Sequence, residues 1–88
     1  MTEEKEIYKA ATLKFGVKAQ MQMVVEECAE LIVAIHHSDR NRVGIAKVAE
    51  ECADVEIMLG QMRVLMGDTI DKMKRAKLKR LEHLLEEA

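Results

Sequence analysis

The sequence predicts an all-α protein, and three observations support this fold class. The chain of 88 residues contains no proline and only four glycines. It is rich in Ala, Leu, Met, Glu and Lys, which favour helices, and only 2% of its residues are aromatic. Apolar residues also recur in alternating steps of three and four. This length allows a single domain, residues 1–88, with a small core, so we expect an antiparallel helical bundle completed by oligomerisation.

Capping residues and glycines divide the chain into four predicted helices. We expect them at about 2–14, 17–37, 42–66 and 69–86. Thr2 and Asn41 are the predicted N-caps of the first and third helices, because their side chains can accept a bond from a free backbone N–H. Gly16 and Gly67 are the predicted stops. Gly44 and Gly60 are expected to lie within the third helix and to weaken it locally.

Two apolar seams are predicted to pack against each other. The seam of the second helix is Val17, Met21, Val24, Cys28, Leu31 and Ile35. The seam of the third helix is Val48, Cys52, Val55, Leu59, Met62 and Met66. Their spacing is typical of one helix packing lengthwise on another. Both cysteines are therefore expected to be reduced and to pack as small, buried hydrophobic residues. A disulfide or a redox role is the alternative.

An acidic motif occurs twice along these seams, 24 residues apart. The sequence Glu-Glu-Cys-Ala-Glu at 26–30 returns as Glu-Glu-Cys-Ala-Asp at 50–54. Residues three apart share a helix face, so Glu27 projects with Glu30, and Glu51 projects with Asp54. Four carboxylates should then converge at the edge of the helix–helix interface. Each raises the cost of ionising the next, and a bound cation is the simplest compensation.

The ligand types favour Mg²⁺, with Mn²⁺ as the alternative, because all four are hard oxygens. His36 and His37 do not lie at the i+3 offset from a paired Glu that di-iron bundles use. A carboxylate-bound Mg²⁺ keeps open positions that suit a triphosphate. Three basic residues of the last helix share one side and are predicted to contact substrate phosphates, although a solvated basic face is the alternative: Lys74, Lys77 and Arg80.

Charge and hydropathy argue against two other classes of partner. The formal net charge is −2, which gives no overall attraction to nucleic acid or to an anionic membrane. We find no window of about 18 apolar residues that would span a membrane. The N-terminus is too charged for a signal peptide, so a cytoplasmic location is expected. A nucleic-acid binder that uses the basic last helix remains a weaker alternative, disfavoured by the scarcity of stacking aromatics.

The two motifs resemble the EExxE…ExxD signature of the all-α nucleoside triphosphate pyrophosphohydrolases. The residues around the motifs are most similar to those of the short MazG-like proteins. The resemblance covers about 20–81. It implies that Glu27, Glu30, Glu51 and Asp54 hold Mg²⁺, and that a nucleoside triphosphate is hydrolysed between its α and β phosphates. It also implies catalytic roles for Glu27 and for two supporting acids, Glu26 and Glu50. Homodimers or homotetramers, with sites between helices of neighbouring subunits, are the implied assemblies.

Two alternatives stand beside this function. Hydrolysis of phosphoribosyl-ATP uses a related signature on a chain of similar length. A non-catalytic helical interaction module would carry the same acids as surface charges or around a regulatory ion. Base preference is not predicted, because Tyr8 and Phe15 are the only aromatic residues that could stack on a base.

Overall fold

The computed structural model describes residues 3–39 and 44–87, which form four helices. Their bounds are α1 Glu4–Phe15, α2 Val17–Asp39, α3 Ile45–Met66 and α4 Thr69–Glu87. No strand is present in these two ranges. The predicted all-α class and the four-helix order are therefore confirmed.

Most helix boundaries lie within two residues of their predicted positions. Gly16 and Gly67 follow α1 and α3 with φ values of 87° and 61°, a backbone conformation that favours glycine. The N-cap position of α1 is Glu3, without a side-chain capping bond, and Thr2 lies outside the described residues. The prediction that the third helix runs through Gly44 was wrong. That residue is extended, with φ −80° and ψ 169°, and α3 begins after it; Asn41 lies outside the described residues.

Helices α2 and α3 form an antiparallel pair, which is the main packing interface of the chain. Helix α1 packs mainly on α3, and a buried amide ties it to α2: Gln20 Nε2 donates to the Ala11 carbonyl at 3.0 Å. The α1–α3 contact depends on Gly60, because a Cβ built there would lie 2.6 Å from Cζ of Tyr8. Among the described elements, α4 packs only on α3.

The buried face of the α2–α3 pair is rotated from the predicted seams. The buried residues are Gln20, Ala34, Glu51, Met58, Gln61 and Met62. Several predicted seam residues are instead substantially exposed: Val17, Met21, Ile35, Leu59 and Met66. Cys28 is half-buried, Cys52 is exposed and both are free thiols, so the expectation of two buried cysteines was wrong. On α2, Val24, Cys28 and Leu31 of the predicted seam are half-buried, whereas its end residues Val17, Met21 and Ile35 are exposed.

The protomer is extended for its length. Its Cα radius of gyration is 15.9 Å, compared with about 12 Å for a compact domain of this size. The projecting α4 contributes to this shape, since most of its length lies against no other described helix. No helix among the described residues is long and apolar enough to cross a membrane.

Candidate metal centre

The four acids predicted to converge do so in the structure. Glu27 and Glu30 come from α2, and Glu51 and Asp54 come from α3. One carboxylate oxygen from each lies within 4.8 Å of the other three. The helical spacing explains this, because each pair is three residues apart and the two helices face each other in antiparallel orientation.

Two of the four carboxylates are drawn into the helix–helix interface. Glu51 is only 5% exposed and Glu27 is half-buried. One oxygen of each, Glu27 Oε2 and Glu51 Oε2, is fully buried and has no hydrogen-bond partner among the described residues. Such atoms normally find a partner, because burying an unsatisfied carboxylate oxygen is costly. Glu51 thus lies deeper than the interface edge predicted from the sequence, whereas Glu30 is exposed at that edge.

The electrostatics of the cluster disfavour four ionised groups. Burial raises the pKa of Glu27 above its ordinary value, and the neighbouring carboxylates of Glu30 and Asp54 raise it further. In the absence of a cation, the fold therefore favours the protonated form of this acid. A divalent cation would reverse that preference, since it pairs with the ionised form.

Among the residues in 3–39 and 44–87, one cation, Lys47, forms ion pairs at the cluster. Its Nζ lies 2.9 Å from Glu51 Oε1 and 3.8 Å from Glu50 Oε1. The hydrogen bond to Glu51, with the charges of Glu50 and Glu51, raises the pKa of Lys47. A single ammonium cannot neutralise four carboxylates. Sequence reasoning overlooked this residue, although its i+4 spacing to Glu51 on one helix was the signal that could have found it.

The donor set fits a hard divalent ion. All four groups offer oxygen, they come from two facing helices, and two buried oxygens lack partners. Mg²⁺ and Ca²⁺ take carboxylate oxygens in this way, whereas zinc sites draw mainly on Cys and His. Glu27, Glu30, Glu51 and Asp54 are the residues that would hold it.

A cleft of about 420 Å³ opens beside the acids. Its lining combines charged, aromatic and aliphatic groups: Ala29, Glu30, Val33, Ala34, His37, Lys47 and Glu51. This volume lies in the range of small-molecule sites. His37, in the last turn of α2, also lies on the wall of this cleft.

The remaining predicted site residues lie outside the acid cluster. Glu26 and Glu50 adjoin it in sequence but are exposed. The three predicted phosphate contacts, Lys74, Lys77 and Arg80, are exposed on α4. Within the part of the chain that the structure describes, α4 does not approach α2, so the chain alone does not bring these groups to the acids.

A larger cavity, about 890 Å³, lies between α1, α3 and α4 and is separate from the acids. Tyr8 lines it, donating its hydroxyl hydrogen to Glu4, and Arg63 is paired with Asp71 at its wall. The hydrogen bond to Glu4 raises the pKa of Tyr8. Acidic and basic residues both line this cavity, and the described residues place no metal-binding cluster of acids there. The acid cluster is therefore the stronger candidate despite its smaller cleft.

Comparison of the chain with models of known families, with curated proteins and with solved structures finds no match. The functional argument consequently depends on the residues and their geometry.

Proposed function

We propose that this protein is a Mg²⁺-dependent nucleotide pyrophosphohydrolase of the MazG-like type, acting on nucleoside or deoxynucleoside triphosphates. The observation that carries the proposal is the convergence of four carboxylates from the repeated motif, two of them with buried, unpartnered oxygens. The proposed reaction hydrolyses the bond between the α and β phosphates and releases a nucleoside monophosphate and pyrophosphate. Such an activity would clear or regulate nucleotide pools.

The four acids would hold the metal, and the metal would supply charge neutralisation for phosphate oxygens and a more acidic bound water. Mn²⁺ is the alternative ion because it accepts the same oxygen ligands. Glu26 and Glu50 lie next to ligand positions and face solvent. Their proposed role is to orient the attacking water and to accept a proton from it, as general bases do.

Substrate phosphates would be held on the open side of the acids. Lys47 lines the cleft there, and its ammonium group can pair with phosphate oxygens once a metal satisfies Glu51. Lys74, Lys77 and Arg80 could join this site from a neighbouring subunit, since α4 projects from its own chain. The proposed assembly is therefore a homodimer or homotetramer.

The test is a pyrophosphate-release screen with purified protein and Mg²⁺. The substrates are the common NTPs and dNTPs and phosphoribosyl-ATP, so that the two pyrophosphohydrolase functions are separated. Asp54→Asn should lower turnover by at least about 100-fold, the scale seen when a group stabilising transition-state charge is removed. Glu56→Gln, on another face of α3, is the matched control and should keep activity.

Far-UV circular dichroism checks that both variants remain helical. No pyrophosphate from any substrate, or full turnover by Asp54→Asn, contradicts the proposal. The first outcome would favour a non-catalytic helical module, and the second would show that turnover does not require Asp54.

A further inference from the structure

Helix α4 carries an apolar stripe that no other helix of the described ranges covers. The stripe consists of Met73, Leu78, Leu81, Leu84 and Leu85. These side chains are between 50% and 68% exposed. Ile70, at the start of α4, is half-buried, and every described residue from 71 to 87 is exposed. Leu78, Leu81 and Leu85 follow the three–four spacing by which one helix packs lengthwise on another.

The charges of α4 are separated along its length. The basic residues all lie in 72–80: Lys72, Lys74, Arg75, Lys77, Lys79 and Arg80. The acidic residues that follow all lie in 82–87: Glu82, Glu86 and Glu87. A second α4 aligned in parallel would place basic segment against basic segment. An antiparallel α4 would place each basic segment against an acidic one, which is favourable at helix–helix interfaces.

We infer that two copies of this chain associate through α4, packed antiparallel so that the stripe of each covers that of the other. The pairing axis would pass near Leu81, in the middle of the leucines at 78–85, so that Leu78 of one copy faces Leu84 of the other. The inference does not depend on the proposed catalytic activity, because it uses only the exposure and charge pattern of α4. It defines which surface joins two subunits and in which direction.

A membrane surface is the competing partner for a basic amphipathic helix. Two features favour a second copy. Lys74 and Lys77 lie in line with Ile70 and Leu81 by four–three–four spacing; an antiparallel second copy would offer its Glu82 and Glu86 to these lysines, whereas the acyl chains of a bilayer offer no partner. Glu82, Glu86 and Glu87 also flank the most apolar segment, where they would repel anionic headgroups.

The first experiment measures the mass of the assembly by sedimentation equilibrium. Leu81→Glu should halve the mass of the wild-type protein at equal concentration, because it places a charge at the centre of the pairing surface. His83→Glu introduces the same side chain away from the stripe and should leave the mass unchanged. An unchanged mass for Leu81→Glu, with helicity retained by circular dichroism, overturns the inference.

The second experiment tests direction by disulfide formation. In a Cys28→Ala, Cys52→Ala background, Leu78→Cys chains are mixed with differently tagged Leu84→Cys chains and oxidised. Antiparallel packing brings these two positions together, so the mixed disulfide should be the main product. Predominant self-crosslinking of Leu84→Cys would show parallel packing and overturn the inference, as would no crosslink.

The third experiment uses vesicles of phosphatidylcholine with phosphatidylserine. Wild-type protein should remain in the supernatant after sedimentation at physiological salt. Vesicle binding that Leu81→Glu abolishes would assign the stripe to membranes and overturn the inference.

Discussion

Replacing the half-buried acid Glu27 should have opposite effects on stability without and with Mg²⁺. In the metal-free protein, Glu27→Gln removes a carboxylate whose ionisation is opposed by burial and by Glu30 and Asp54. The variant should therefore be more stable than wild type without metal at neutral pH. With Mg²⁺ it should be less stable, because it lacks one of the four ligands.

The size of the metal effect follows from binding linkage. A Mg²⁺ concentration 100 times the dissociation constant stabilises the native protein by about 2.7 kcal/mol. For a domain of this length that corresponds to a rise in Tm of roughly 10–20 °C. Outer-shell substitutions alone weaken metal sites by about 10–100-fold, so loss of a direct ligand should weaken binding at least about 100-fold. At the same Mg²⁺ concentration the stabilisation then falls to about 0.4 kcal/mol.

The assay is thermal unfolding by circular dichroism with EDTA and with increasing Mg²⁺, at fixed protein concentration. Glu56→Gln is the control and should show the full Mg²⁺-induced rise, since its carboxylate is exposed outside the cluster. An equal rise in Tm for Glu27→Gln and wild type would refute the assignment of this residue as a ligand. So would a wild-type Tm that does not respond to Mg²⁺.

Three further outcomes are expected. In the metal-free protein, the raised pKa of Glu27 means that the native state binds a proton more readily than the unfolded chain. Its contribution to stability should therefore fall as pH rises from the ordinary Glu pKa through the raised one, and Glu27→Gln should remove that slope in urea titrations across pH. Lys47→Met removes the only protein cation bonded to Glu51 in the described residues; the metal-free Tm should fall and the Mg²⁺-induced rise should grow, and an unchanged Mg²⁺ response would count against competition between the two cations. Gly60→Ala brings a methyl group against the Tyr8 ring, an overpacking cost of about 1–3 kcal/mol that exceeds the roughly 1 kcal/mol gain in helix propensity. Urea unfolding should show net destabilisation, whereas the same change in a Tyr8→Ala background should stabilise; stabilisation in the wild-type background would contradict the predicted clash.

The acid cluster was predictable because it depends on short-range periodicity. Within each motif, the three-residue spacing fixes which carboxylates share a face. Only one long-range assumption was needed, that the two motif-bearing helices pack together, and the matched repeat of Glu27 and Glu30 by Glu51 and Asp54 suggested it. Helix ends at Gly16 and Gly67 were predictable for a similarly local reason, since left-handed backbone favours glycine.

The buried face was less predictable because hydrophobicity does not identify the partner. The apolar positions of α2 form a stripe that could cover either α3 or another subunit. In the structure α3 packs beside Gln20, Glu27 and Ala34, while Met21 and Ile35 remain substantially exposed. A periodic pattern in a single sequence gives the same signal for an intrachain core and for a subunit interface.

The predicted phosphate contacts also show that periodicity does not identify what a helix face meets. Lys74, Lys77 and Arg80 share a helix side by spacing, but spacing does not show where that helix goes. Helix α4 packs on α3 near its start, where Asp71 pairs with Arg63, and its path depends on the turn at Gly67, which periodicity does not specify. Whether these groups meet a substrate stays a prediction, whereas Lys47 already lies at the cleft.

The scarcity of buried apolar side chains has a consequence for the stability of a subunit before it assembles. Ala34, Met58 and Met62 are the only buried apolar residues in 3–39 and 44–87, too few to offset the backbone entropy lost on folding. A chain that gains its missing burial from association has a melting midpoint that climbs with concentration. In the proposed assembly, dilution should therefore unfold the subunits without any denaturant, and subunits synthesised in excess of their partners would be early substrates for proteases.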